Sequence, residues 1–518
     1  MSITRRRLRA LLVVLVLAAA VVIAPVSPTP VQAMIGVKMQ TIDVPAVVDG
    51  QSYSATGWSV ATPIRTDPFA LVGVELPDER EVQIRTAAGD GGWSEWTELP
   101  HQHDEGPDPG SREGQEADPG HRTHPVYTGA ADRLQVRSAA PDAIGLKAYL
   151  IDPFGLDRSW AQKAAAGFTA AWRGTPRSVA GSVTDMPQIV TREQWAADES
   201  IVREGPYYAP DVDRGFVHHT VGPNDYTLKE APGIVRAVME YHVNANGWAD
   251  IGYNFLVDRF GTIYEGRAGG MDRAVIGAQA GGFNTGSTGV ALMGTYTDTT
   301  PEPVMVEALT QVLAWKADVH HFDPTQTGQA TSAGSTRYGE GEVVTLNNIS
   351  GHRDVSATTC PGDGTYALLP EIRVKTRALA GDLIVNHADD LDATPVIDGM
   401  PLADGVTITA ELDPPGTWTI VLVDPEGAVV QQASGKGEAA AMTVDFSADT
   451  WSLGDYQWTV ESPGRRSAVG GFAFKLPTID HLSASVAAVE ADDSGRLVAP
   501  VRITAELWDS AAMGGAGH

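Results

Sequence analysis

The sequence predicts an α/β domain between two all-β domains. Residues 40–155 and 395–477 contain short or alternating apolar runs of the kind found in strands, separated by turns rich in Gly and Pro. Over residues 187–381, strand-like segments alternate with helical periodicity, and this alternation predicts a sheet covered by helices. The length of 518 residues supports several domains, because one hydrophobic core rarely serves so long a chain.

The composition is typical of a folded protein, with 43% hydrophobic and 20% charged residues. The formal net charge of -28 disfavours nucleic acid as a partner, because an acidic surface and phosphate groups repel each other. We therefore expect no nucleic acid among the ligands of this chain.

Residues 1–33 are predicted to be a signal peptide. Four arginines between positions 5 and 9 precede an apolar run over 11–24, and Val31-Gln32-Ala33 offers small residues at the spacing of a cleavage site. The apolar run approaches the length of a membrane anchor, but three prolines between positions 25 and 30 interrupt it, which favours cleavage. We expect a secreted protein, extracellular or associated with the cell wall, with no membrane span after cleavage.

Residues 100–125, within the N-terminal β domain, are polar and rich in Gly and Pro, which predicts a mobile loop. The loop contains four histidines: His101, His103, His121 and His124. They could bind a metal, but nothing nearby in the sequence fixes their geometry, so a solvated loop is favoured.

Two tryptophans of the same domain, Trp93 and Trp96, also admit two interpretations. Aromatic faces stack on sugar rings, so the pair could form a carbohydrate platform. Tryptophans on one strand face could equally pack in the core, and we favour the core.

The remaining segments are expected to connect or extend these domains. Residues 156–186 are rich in Ala, then in Gly, Ser and Pro, and are predicted to be a linker; 395–477 is predicted to be an immunoglobulin-like β-sandwich. Residues 406–412 (VTITAEL) resemble 501–507 (VRITAEL), so 478–518 could be a truncated second β module or a tail. Coincidence would explain the likeness equally well.

Three points of the central region suggest a metal centre. Residues 216–220 form a short apolar strand containing His218, and His352 and Cys360 follow much later. Zinc accepts imidazole nitrogen and thiolate sulfur, and three protein ligands leave a fourth position for water, as in catalytic sites. Binding to zinc would also give a partner to the thiol of the single cysteine in an exported chain. The spacing alone permits a blander interpretation, a buried histidine beside a free thiol.

Ordered sequence blocks around these residues resemble a known family. The blocks are Ile189–Trp195, Val217–Thr220, Gly247–Phe255, Gly261–Arg267, Phe283-Asn284 with Gly289–Gly294, Gly351–Arg353 and Thr359–Gly362. Residues 187–381 resemble the type 2 N-acetylmuramoyl-L-alanine amidases, the family shared with peptidoglycan recognition proteins and amidase-type phage lysozymes. The blocks are specific, although the region covers less than half of the chain.

The resemblance implies a zinc site and a substrate. It implies His218, His352 and Cys360 as ligands of Zn²⁺, with Tyr253 and Thr358 at the positions of active-site residues. It also implies a mixed sheet flanked by helices, with the metal in a cleft above one sheet end. The reaction would be hydrolysis of the amide between N-acetylmuramic acid and L-alanine of peptidoglycan, the expected partner.

The residues fit this chemistry, with one gap. Zinc lowers the pKa of bound water to about 7, and Tyr253 or Thr358 could donate a hydrogen bond to the developing oxyanion. No glutamate within the blocks is an evident general base. Two alternatives stay open: a non-catalytic peptidoglycan-binding recognition protein, and a zinc hydrolase acting on another amide. The presence of both Cys360 and Tyr253 favours the amidase.

Neighbouring residues need separate interpretations. His219 should point away from His218, because adjacent strand residues face opposite sides, and His242 is expected to be a core histidine. Gln279 stands where family members often have a histidine of the substrate cleft, so this chain departs from the family pattern at a position expected to contact substrate. The insert 324–342 is predicted to be a loop over or beside the cleft.

Overall fold

The computed structural model describes residues 37–45, 57–102, 105–117, 120–140, 145–154, 185–391, 393–397, 400–401, 403–446, 451–475 and the later strands between 478 and 508. The predicted signal peptide, His103 and nearly all of the predicted linker lie outside these residues. Within the described part, no helix has the length and apolar character needed to cross a bilayer. The chain is rich in strands, which form several sheets.

The N-terminal region forms an antiparallel sheet in the order β1-β8-β3-β7-β4-β5, with β2 beside β7 and β6 beside β3. The strands are β1 (Lys38–Asp43), β2 (Ser59–Val60), β3 (Ile64–Leu76), β4 (Val82–Ala87), β5 (Thr97–Glu98), β6 (His121–Arg122), β7 (Val126–Ser138) and β8 (Lys147–Asp152). Alternate residues of β4 are buried, as expected for a strand with one face against a core. Its core includes Val72, Val74, Ile84, Leu134 and Leu150.

The prediction of a mobile, solvated loop over 100–125 is wrong. The segment contains helix α1 (Arg112–Glu116), capped by the Ser111 side chain, and strand β6. Glu105, Asp108 and His124 are buried, whereas His121 is exposed. Polar composition suggested solvent, but these side chains find polar partners in the next domain.

The prediction that Trp93 and Trp96 belong to the core is also wrong. Both are half-buried on the sheet surface. The Arg85 guanidinium lies 4.7 Å from the Trp96 ring centroid and 5.2 Å from that of Trp93. Cation–π contact of this kind covers aromatic faces without placing them in a core.

The central region forms a six-stranded mixed sheet in the order β16-β10-β13-β11-β12-β9. Its strands are β9 (Ile189–Val190), β10 (Arg214–His219), β11 (Phe255–Val257), β12 (Ile263–Glu265), β13 (Ser287–Leu292) and β16 (Ile349–Gly351). All neighbours pair in parallel except β11 and β12. Every residue of β10 and β13 is buried, as expected for parallel strands covered on both faces.

Helices cover this sheet. They are α2 (Arg192–Trp195), α3 (Ala231–Glu240), α4 (Pro303–His320), α5 (Asp363–Tyr366) and α6 (Leu369–Ala380), with a π-turn over Tyr241–Ala245 and 3₁₀ turns at Glu199–Ile201 and His352–Asp354. Thr191 and Gln194 form a capping box at the start of α2, and prolines stand in the first turns of α3, α4 and α6. These local signals fix where the helices begin.

The insert 324–342 differs in part from the predicted loop. Strand β14 (Thr327–Thr331) pairs antiparallel with β15 (Val343–Asn347), so the insert belongs to a hairpin. Its tip contacts the loop after β12, since the Ala333 amide donates to the Gly282 carbonyl at 2.8 Å.

The C-terminal region returns to β structure. Its strands are β17 (Leu383–Asp389), β18 (Ala393–Ile397), β19 (Met400–Pro401), β20 (Gly405–Val423), β21 (Val429–Asp445), β22 (Gly454–Glu461), β23 (Ala468–Lys475), β24 (Thr478–Val486), β25 (Glu490–Ala491), β26 (Leu497–Val498) and β27 (Val501–Trp508). The similar segments 406–412 and 501–507 both lie in strands, β20 and β27. Trp458, Phe446 and Phe474 anchor the core of the larger sheet.

The N-terminal sheet and the central domain share one hydrophobic core. Leu71 and Tyr149 of the sheet belong to the same buried cluster as Val238 and Tyr241 of α3 and its π-turn. The Tyr241 hydroxyl donates to the Thr123 carbonyl at 2.8 Å. The two domains are therefore packed together and not merely tethered.

Gly73→Ala tests this packing. A Cβ at Gly73 would lie 2.2 Å from the ring of the buried, hydrogen-bonded Tyr241, so the interface would have to shift. We expect the free energy of unfolding to fall by about 1–3 kcal/mol, measured by chemical denaturation. Gly92→Ala is the control, because its Cβ would meet no atom within 4 Å. Equal stability of the two variants would contradict a close interface.

Candidate metal centre

Parallel strand pairing brings the two predicted histidine ligands to one edge of the central sheet. Val217 of β10 pairs with Gly351 of β16, so His218 and His352 follow the paired residues on neighbouring strands. Their ring centroids are 4.7 Å apart, and both side chains are fully buried. The sheet register alone therefore places two imidazoles within reach of one ion.

Cys360 reaches the same point through the loop after β16. The 3₁₀ turn at His352 reverses the chain, and the Arg353 amide donates to the Cys360 carbonyl at 2.9 Å. The Cys360 sulfur then lies 3.7 Å from Nδ1 of His218. The backbone amide of His219 donates to this sulfur at 3.4 Å, and such a donor stabilises a thiolate.

Gln279 corrects an expectation about the substrate cleft. Its side chain is fully buried behind His218, where Oε1 contacts Nε2 of the imidazole, and its own amide donates to Ser287 Oγ at 3.0 Å. A carbonyl oxygen at Nε2 favours the tautomer with the proton there, which leaves Nδ1, the atom facing Cys360, unprotonated. Gln279 therefore orients a predicted ligand.

The environment favours neutral imidazole at His218. Burial, with a smaller contribution from neighbouring His352, holds the pKa of His218 well below its ordinary value. Neutral imidazole is the form that binds a metal.

Tyr253 and Thr358, the predicted active-site residues, both lie beside this cluster. The Tyr253 ring centroid is 5.5 Å from that of His218, and its buried hydroxyl donates to Oε1 of Glu105 at 2.6 Å. The half-buried Thr358 accepts a hydrogen bond from the Cys360 amide at 3.2 Å. This hydrogen bond stabilises the loop that carries the Cys360 sulfur.

The two neighbouring histidines lie away from the cluster of donors. Nδ1 of His219 accepts from the Tyr296 amide at 3.3 Å, on the other side of β10. Nδ1 of His242 accepts from the Gly252 amide at 3.0 Å, and its side chain is buried beside Trp248. Both have partners suited to a structural role.

Glu105 is the site residue that sequence reasoning missed. It comes from the segment before α1, yet one donor atom from each of Glu105, His218, His352 and Cys360 lies within 4.8 Å of the others. Its second oxygen is 3.7 Å from Nδ1 of His124. No motif surrounds Glu105, so the sequence held no signal beyond an acidic residue in a polar segment.

The donor set fits zinc. Two imidazoles, one sulfur and one carboxylate oxygen are all ligands that Zn²⁺ accepts in tetrahedral sites. A hard cation such as Mg²⁺ or Ca²⁺ would require mostly oxygen donors. The chemistry of the cluster thus favours zinc over those ions.

Comparisons with known proteins identify the family of this chain. The N-acetylmuramoyl-L-alanine amidase family matches residues 208–363, and the family described as Rv3811 N-terminal galactose-binding domain-like matches residues 26–167. Peptidoglycan-recognition protein SC1a of Drosophila melanogaster is 36% identical over 176 residues, which are 34% of this chain and 80% of that protein. Peptidoglycan recognition protein 1 of Bos taurus is 29% identical over 192 residues, covering 37% and 87%.

Among solved structures, human PGRP-IBETAC in complex with glycosamyl muramyl pentapeptide is 25% identical. The match covers 35% of this chain and 94% of that one, with a TM-score of 0.27. The sequence matches establish kinship: this chain belongs to the family of N-acetylmuramoyl-L-alanine amidases and peptidoglycan recognition proteins.

Proposed function

We propose that this protein is a secreted, zinc-dependent amidase that hydrolyses the bond between N-acetylmuramic acid and L-alanine of peptidoglycan. The convergence of donor atoms from His218, His352 and Cys360 within 4.8 Å of one another carries the proposal. A protein that only recognised peptidoglycan would not need a sulfur and two imidazoles at one buried point.

Family membership supports peptidoglycan binding or amidase activity, and the site residues favour the second. Zinc held by these three residues would supply a Lewis acid and would lower the pKa of a bound water to about 7. Gln279 and the His219 amide hold His218 and Cys360 in the forms that bind metal. Neither group is a predicted ligand, but their hydrogen bonds favour the metal-binding protonation states of the two ligands.

Tyr253 is proposed as the donor that stabilises negative charge on the scissile carbonyl oxygen. Its hydroxyl already donates to a carboxyl oxygen of Glu105 at 2.6 Å in the space beside His218. An oxygen of the reacting amide that took this place would receive the same hydrogen bond. Thr358 is proposed to position Cys360 and to offer its hydroxyl hydrogen to the cleft.

Cys360→Ser is expected to abolish hydrolysis and to lower zinc content, because a serine hydroxyl is a far poorer zinc ligand than a thiolate. Zinc is measured by mass spectrometry of the metal, and activity by free L-alanine amino termini on peptides released from cell wall. Full activity in the variant would remove Cys360 from the ligand set.

His321→Gln provides the control for that experiment. His321 is a buried histidine whose Nδ1 contacts the Ile384 carbonyl at the C-terminal sheet, outside the donor cluster. We expect it to keep zinc content and activity. New termini other than L-alanine in the wild-type digest would indicate a different hydrolase, and binding without cleavage would indicate a recognition protein.

Tyr253→Phe is expected to lower kcat by about 100-fold, the typical effect of losing one oxyanion donor. The ring would keep its packing against His218 and His242, so zinc content should not change. Hydrolysis of a soluble muramyl peptide measures kcat. An unchanged kcat would exclude the hydroxyl from the reaction.

A further inference from the structure

The N-terminal domain places residues 105–117, here named the inserted segment, within the amidase domain. Its first anchor is Asp108, whose Oδ1 accepts hydrogen bonds from the Gly282 amide at 2.9 Å and from the Asn284 side-chain amide at 2.8 Å. The Asn284 side-chain amide also donates to the Gly106 carbonyl at 2.8 Å. Phe283-Asn284 is one of the sequence blocks that resemble the family, so this anchor binds the central domain itself.

Glu113 is the second anchor of the inserted segment. Its carboxylate forms a bidentate ion pair with Arg267, with N–O distances of 2.8 and 2.9 Å, and both side chains are buried. The Ala249 amide also donates to it at 2.9 Å. Buried, charge-assisted hydrogen bonds of this kind are among the strong ones.

The sequence of the inserted segment suits this one conformation. Gly106 has φ of 144°, in the region that favours glycine, and lies against Trp248. A Cβ on Gly114 would lie 2.2 Å from the Asp108 carbonyl oxygen. Two glycines thus permit the tight path between the anchors.

The inserted segment also closes the metal centre. Glu105 at its start is 8% exposed, Cys360 is 3% exposed, and His218 and His352 are fully buried. The cavity of about 370 Å³ beside the segment is lined by Glu105, Gly106 and Trp248 among others, but by none of the three predicted ligands. A muramyl peptide that entered through this cavity would meet Glu105 before any of the three predicted ligands.

We propose that Glu105 is a fourth ligand of the metal and that the inserted segment is a built-in inhibitor that keeps the amidase latent. The inference rests on the proposed function, because it assigns the regulation of that same site. With Glu105 as a fourth protein ligand, a tetrahedral zinc ion would have no position left for the water that a catalytic site needs. Glu105 also accepts the hydrogen bond of the Tyr253 hydroxyl. One residue would therefore block both the metal and the proposed oxyanion donor.

A general base is the other role that Glu105 could have. The rest of the inserted segment argues against it, because Asp108 and Glu113 fix the carboxylate where substrate must enter. A base acts beside bound substrate and needs an open site. As an inhibitory ligand, Glu105 would leave the metal when the hydrogen bonds of Asp108 and Glu113 are broken.

The test compares Co²⁺-substituted full-length wild type with Glu105→Gln and Asp108→Ala. We expect the visible absorption bands of Co²⁺ to change in both variants, since one removes the carboxylate ligand and the other removes its anchor. Hydrolysis of a soluble muramyl peptide by the zinc forms should rise about tenfold or more in Asp108→Ala, because several hydrogen bonds to a charged group are lost. Glu116→Gln, at an exposed position in α1 of the same inserted segment, is the control and should match wild type in both measurements.

The outcomes separate this inference from the proposed function. Unchanged Co²⁺ bands in Glu105→Gln would show that the carboxylate is not a ligand. Reduced hydrolysis in both variants, with normal zinc content and thermal stability, would show that the segment assists catalysis and would overturn latency. Changed Co²⁺ bands without hydrolysis by any form would support the ligand assignment and contradict the amidase proposal.

Discussion

The parallel pairing of β10 with β16 is the constraint on which the site depends. Because Val217 lies opposite Gly351, the residues that follow them, His218 in β10 and His352 just after β16, lie at the same end of the sheet. A shift of one residue in this register would turn His218 towards the other face, where His219 now contacts the Tyr296 amide. The loop to Cys360 then adds the sulfur to the two imidazoles, and Gln279 orients one of them.

Packing between domains adds a second constraint. The cluster that joins Leu71 and Tyr149 to Tyr241 packs the N-terminal sheet against α3 and its π-turn. The amidase-family match covers residues 208–363 alone, yet Glu105 of the neighbouring domain lies beside the three predicted metal ligands. The flanking domain is thus part of the site as well as a candidate for binding the wall.

Sequence reasoning identified the site residues that lie in recognisable local motifs. His218, His352, Cys360 and Tyr253 lie in ordered blocks, and the structure brings them together. Glu105 escaped because its partners come from distant segments, and a polar stretch with buried carboxylates has the composition of a solvated loop. Gln279 was assigned to the cleft from its position alone, but only coordinates show that it contacts Nε2 of His218. The core prediction for Trp93 and Trp96 assumed a shared strand face, but both residues lie outside the strands, beneath arginines that come from β4 and β7.

X-ray absorption at the zinc edge of the purified full-length protein tests the central claim most directly. The account predicts one sulfur neighbour at about 2.3 Å and nitrogen or oxygen neighbours at about 2.0–2.1 Å. These correspond to Cys360, the two histidines and Glu105. A shell of nitrogen and oxygen without sulfur, or protein that does not retain zinc, would contradict it.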